Sequence, residues 1–146
     1  MEARFLGHKS LPDAFVALDF WRITDYDLGV EMTVQSQGFR GHYAEVSFFR
    51  PDVERFATSL RAALAGTSRE DVILESMSPR EAVLRIRSLM PDGDGTLEAT
   101  LSRLNEVTSD DWFEDRIAVA FALSPSSWDA PLAALADVLA APYTGE

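Results

Sequence analysis

Alternation of apolar and polar positions with a period of two runs through most of the chain, and it is clearest over residues 28–37. Leu28, Val30, Met32 and Val34 alternate there with Gly29, Glu31, Thr33 and Gln35, which predicts a strand with one apolar face. Gln37-Gly38-Phe39-Arg40-Gly41 then supplies turn or bulge glycines, and residues 43–49 read as the returning strand. Residues 3–6 and 15–23 are expected to be strands as well, although 14–21 is apolar on both sides.

The period then changes. Pro51 suits a first helical position, where its missing N–H costs nothing. Val53, Phe56, Ala57, Leu60 and Leu64 follow at helical spacing, with Asp52, Glu54, Arg55 and Arg61 on the other side. Asp52 and Glu54 complement the helix dipole in the first turn, and Gly66 marks the stop. Strand patterning returns at 72–77, 82–89, 96–105 and 115–123, separated by the turn-rich segments Ser78-Pro79-Arg80 and Pro91-Asp92-Gly93-Asp94-Gly95. A second helix over about 127–140 carries Trp128, Leu132, Leu135 and Leu139 as its stripe.

Short links between consecutive strands predict an α+β domain: an antiparallel meander of about six to seven strands with both helices packed on one face. The opposite face is then open and polar, carrying Glu31, Thr33, Gln35, Arg85, Arg87, Glu98 and Thr100. A weak internal echo accompanies this pattern. Val46-Ser-Phe-Phe-Arg-Pro51 leads into the first helix much as Val119-Ala-Phe-Ala-Leu-Ser-Pro125 leads into the second.

Composition narrows the function. At 146 residues and 47% apolar content the chain fits a single domain, residues 1–146, that needs no metal or disulfide to stand. The absence of cysteine excludes disulfides, thiolate zinc sites and cysteine nucleophiles. A formal charge of −11 speaks against nucleic acid and against anionic membrane surfaces as partners. Glu2 stands where a signal peptide wants positive charge, and the apolar run 14–18 breaks at Asp19, so a cytoplasmic location is expected.

Catalytic chemistry is sparse. His8 and His42 are the two side chains with a neutral-pH base character, and surface or turn roles suit both. His42 and Glu45 have a metal-like spacing, but on a strand they face opposite sides. Asp92-Gly93-Asp94-Gly95 begins like a calcium loop; Leu97 and Arg103 then occupy the positions that need Gly and Glu, so a hairpin turn is expected. No nucleophile elbow, phosphate-binding loop or zinc-protease motif is present. The expectation is a protein that is not an enzyme and needs no cofactor or metal.

Charge is distributed unevenly. Residues 1–90 carry 11 basic and 13 acidic groups, whereas residues 91–146 carry 2 and 11. Glu106, Asp110, Asp111, Glu114 and Asp115 crowd around Trp112 and Phe113. Carboxylates this dense repel one another, and folding does not require them. Aromatic anchors in an acidic ring suit a basic protein partner; core-capping aromatics among solvated acids are the alternative.

Three segments together carry a family resemblance: Thr33-Val-Gln-Ser-Gln-Gly38-Phe39-Arg-Gly41, Val46-Ser-Phe-Phe, and Asp52-Val-Glu-Arg-Phe56-Ala-Thr-Ser-Leu60. The chain resembles the WapI-type immunity protein group and related bacterial families over roughly residues 20–140. The shared pattern is a strand ending in a Gly-Phe-x-Gly turn, a second strand, and a helix of the form D-[LV]-x-x-F-x-x-x-L. Leu74-Glu75-Ser76 and a last strand running into Ser-x-x-Trp128 continue the likeness. The resemblance implies an antidote to a secreted polymorphic toxin, with no catalytic residues to carry over. Joined to the charge asymmetry, it gives the first expectation: a non-enzymatic binding protein that neutralises a basic toxin through Glu106, Asp110, Asp111, Trp112, Phe113, Glu114 and Asp115. The second is a small anionic-ligand-binding or regulatory domain using Gln35, Arg85 and Arg87, where co-facial arginines hold a carboxylate or phosphate. An edge strand such as 3–6 leaves room for a homo-oligomer.

Overall fold

The computed structural model describes residues 1–106 and 112–142, with 104–106 and 112–114 described by backbone only. Its elements run β1 (Glu2–Leu6), β2 (Phe15–Ile23), β3 (Asp27–Ser36), β4 (Phe39–Phe49), α1 (Arg50–Leu64), β5 (Val72–Glu75), β6 (Ala82–Arg87), β7 (Thr96–Glu106), β8 (Trp112–Ala122) and α2 (Asp129–Ala140). The class is α+β, as expected, but the meander is not one sheet. It divides into two four-stranded antiparallel sheets, β1-β2-β3-β4 and β5-β6-β7-β8, each followed by a helix. The division falls where a 15-residue helix, rather than a tight turn, joins β4 to β5. A short link forces neighbouring strands to pair; a helical crossover does not.

The two ββββα units are joined at both ends. Past the end of β1, Gly7 forms an antiparallel bridge with Leu123, flanked by His8 N–H to Ala122 O at 2.8 Å and Ser124 N–H to Leu6 O at 3.0 Å. Past the end of β5, Met77 N–H donates to Ser47 O of β4 at 2.8 Å. The helices cross over: α1 packs chiefly on β5 of the second sheet and α2 on β1 of the first. The echo between 46–51 and 119–125 thus marks the same strand-to-helix step in each unit.

One apolar cluster serves both units. Phe5 of β1 meets Phe56 of α1 edge-on at 6.1 Å and Trp128, just before α2, at 6.0 Å. Gly41 of β4 faces the second sheet so closely that a Cβ there would stand 2.4 Å from Ile117 Cγ2. Alternation held wherever it was read: Leu28, Val30, Met32 and Val34 are fully buried, as are Leu84, Ile86 and Leu97. In β2, Val16, Leu18 and Phe20 face the core while Phe15 and Asp19 on the other face are half-buried, and a bulge at Trp21 resets the facing.

Helix boundaries follow local chemistry. Pro51 sits in the first turn of α1, and Gly66 at φ +78 closes it with Gly66 N–H to Ala63 O and Thr67 N–H to Ala62 O. That pair of bonds satisfies carbonyls the helix would otherwise leave open, and a left-handed residue is needed to form it. Arg50 joins the two helix ends: its guanidinium donates to Thr24 O at 3.1 Å and to Leu139 O, in the last turn of α2, at 2.6 Å. A cation at a helix C-terminus is favourable. Among the described residues no helix is long and apolar enough to cross a membrane.

Candidate binding surfaces

Each sheet turns one face away from the core, and the two faces are built differently. On the first sheet the polar groups are mutually engaged. Arg4 lies over the Phe15 ring at 4.5 Å and pairs with Glu2 at 3.0 Å. His42 meets Glu31 at 3.1 Å, both about half exposed, so it is a surface pair rather than a metal site. Gln35 donates to Asp13 O at 3.0 Å and accepts from Arg40 at 3.4 Å. Gln35 therefore lies on β3, in a different sheet from Arg85 and Arg87 of β6, and does not join them. Equal parity in the alternation had grouped residues that belong to different sheets.

On the second sheet the outward rows follow the pairing register. Arg87 stands beside Thr96, Arg85 beside Glu98, Val83 beside Thr100, and Ser102 beside Arg116. Ala118, Ala120 and Ala122 complete these rows on β8, all exposed. Arg80, Val83, Arg85, Glu98, Thr100, Ser102 and Arg116 line an open groove of about 350 Å³. Arg85 and Arg87 share this face, as expected, but Arg87 is engaged with Glu98 at 3.4 Å. Arg85 has only a long contact to Asp71, at 3.9 Å. Among the described residues no carboxylate pairs with Arg80 or Arg116. The sequence reading missed these two. Arg116 continues the outward parity of Ala118 and Ala120, a signal present in the sequence; Arg80 lies in a turn, where alternation says nothing.

The β5–β6 turn that carries Arg80 is pinned by two nearly buried serines. Ser76 Oγ donates to Ser78 O at 2.6 Å and accepts from Ala82 N–H at 2.9 Å. Ser102 Oγ donates to Arg80 O at 2.8 Å, and Glu75 accepts the Arg80 N–H at 2.9 Å. Arg80 itself has φ +68, a left-handed conformation unusual for a side-chain-bearing residue.

The described residues of the acidic segment lie at the paired ends of β7 and β8. β6 pairs with β7 only as far as Leu101, whereas β7 and β8 stay paired out to Glu106 opposite Trp112. The hairpin thus outruns β6 by five residues on β7, about 17 Å of strand. Glu106, Trp112, Phe113 and Glu114 lie in this extension by backbone; Asp110 and Asp111 are outside the described residues. Asp115 is exposed and opposite Arg103. Beside this stem, burial pushes the Tyr43 hydroxyl above its ordinary range, and the Glu81 and Asp115 charges add to the push while Arg103 opposes it. Burial likewise raises Glu81, against the opposing charge of Arg103.

The remaining candidates are structural. His8 shares a short turn with Ser10, Nδ1 to Oγ 2.9 Å. Residues 91–95 form the β6–β7 turn, docked on α2 by Trp128 Nε1–H to Gly93 O at 2.9 Å. Gly93 has φ +93, and a Cβ there would stand 2.4 Å from Pro125 O, so only glycine fits. Among the described residues no group of His, Asp and Glu is placed to hold a metal ion. No family model matches the chain, and no curated protein or solved structure matches it either.

Proposed function

We propose that the protein is a non-enzymatic, immunity-type binding protein that neutralises a basic toxin through the acidic β7–β8 hairpin. The observation that carries this reading is the overhang: the hairpin runs five residues past the end of its β6 neighbour and bears the densest run of carboxylates in the sequence. A two-stranded arm of this kind reaches a partner without disturbing the core, and carboxylates steer a cationic surface into contact. The resemblance to the WapI-type immunity group supports the same reading. The test is affinity capture from lysate of the source cells, using wild type beside a variant with Asp110, Asp111, Glu114 and Asp115 reversed to lysine. A stoichiometric basic partner should be held by wild type, weakened by salt, and lost from the variant. Retention of that partner by the variant at unchanged affinity would sink the hairpin as the interface.

A second reading, a domain that binds a small anionic ligand, is favoured by one observation: among the described residues, Arg80 and Arg116 of the groove on the second sheet have no carboxylate partner, in a chain of net charge −11. Saturable stabilisation by an anionic metabolite in a thermal-shift screen checks it.

A further inference from the structure

We propose that the groove on the outer face of the second sheet binds the phosphoryl group of a small phosphorylated molecule, held by Arg80, Arg85 and Arg116. This inference rests on the second reading above, and takes from the hairpin only Ser102 and Arg116 at its base. Three features of the groove lead to it.

The first is convergence. Ser102 stands between Arg80, whose carbonyl it holds, and Arg116, its cross-strand neighbour. Arg85 lies beside Glu98, four residues further along β7, which separates the two arginine rows by about 13 Å. The row between them is Val83, Thr100 and Ala118. A floor of small side chains lets guanidinium groups lean in from both sides over one point. A carboxylate presents two oxygens in a plane and is satisfied by one guanidinium fork; a phosphoryl group presents three oxygens in three directions and suits three forks. Thr100 lines the same groove. A groove of about 350 Å³ exceeds one phosphate and leaves room for the rest of a small ester.

The second feature is charge. Glu98 is the one carboxylate lining the groove among the described residues, and Arg87 engages it from the neighbouring row. Arg80, Arg85 and Arg116 therefore set the local sign, against the sign of the whole protein.

The third is backbone strain. Glycine would take φ +68 at position 80 without penalty, yet an arginine stands there with both its N–H and its C=O fixed by side chains. Gln37 and Ser88 also have positive φ, at +50 and +55; Arg80 is set apart because side chains hold both of its backbone groups at the edge of the groove, and strain held in place in this way points to a function.

That strain separates binding from folding. Arg80→Gly relieves the backbone and should melt no lower than wild type. Millimolar pyrophosphate should raise the melting temperature of wild type with a saturable dependence, and Arg80→Gly combined with Arg116→Gln should weaken that binding at least tenfold. Citrate and sodium chloride at matched ionic strength should leave wild type far less stabilised. Glu98→Gln should tighten pyrophosphate binding. If citrate stabilises as strongly as pyrophosphate, and still requires Arg80, the anion-binding reading stands and the phosphoryl preference falls. If wild type and the double variant respond alike, or neither responds to either anion, both fall.

Discussion

The two ββββα units share an order of elements and differ in what they do with their outward arginines. On the first sheet, Arg4 is spent on Glu2 and Phe15 and Arg40 on Gln35. On the second, Arg80 and Arg116 have no carboxylate partner among the described residues, and Arg85 has a distant one. A charge satisfied by its own sheet contributes to the surface and little else; a charge left over is available to something outside. Reading the fold alone would make the units equivalent. The distinction lies in which polar groups each face leaves unanswered.

If the units depend on one another for their cores, damage where they meet must unfold both. Phe5→Ala removes the ring that touches both helix regions and should cost about 3–5 kcal/mol. Chemical denaturation should show one transition moved to lower denaturant with unchanged steepness; two separated transitions would mean that the units fold alone. Arg50→Met strips the carbonyls of Thr24 and Leu139 of their charged donor and should cost about 2–3 kcal/mol, read in the same experiment. Trp128→Phe keeps an aromatic ring at this buried position but removes the pyrrole part of the indole, and with it the N–H bond to Gly93 O. A loss of about 1–2 kcal/mol is expected, with faster amide exchange confined to the 91–95 turn of the second unit.

The smallest effect sharpens the comparison by pH. Glu81 binds its proton more tightly folded than unfolded, because burial raises it above the ordinary value of 4.5. The folded state therefore gains from protonation at low pH, and that contribution is lost as pH rises from the ordinary value through the raised one. Glu81→Gln should flatten this decline and melt slightly higher than wild type at neutral pH. An unchanged pH profile would show that the carboxyl is no more buried than its surface neighbours.

Most of the local structure was legible in the sequence. Period-two alternation identified the buried faces, and Pro51 and Gly66 bracketed α1 because each acts through its own backbone. Pairing across distance was not legible. Gln35 and Arg85 have the same parity in good strands, yet parity names a face and never the sheet that owns it. Arg80 was hidden for a different reason: its position depends on a turn held by Ser76, Glu75 and Ser102, side chains that come together only after β5, β6 and β7 are in register. Arg116 was there to be found by extending the alternation of β8 two residues upstream of Ala118.

The crossing of the helices has a consequence for how the chain is made. The first sheet is complete in sequence by Phe49, but the element that covers β1 is α2, synthesised some eighty residues later. A nascent chain leaving the ribosome therefore carries β1 partly covered, with Phe5 able to meet Phe56 of α1 but not yet Trp128, until nearly the whole domain has emerged. The cover over β1 is thus completed last, and a chain cut short before α2 leaves that side of the first sheet bare.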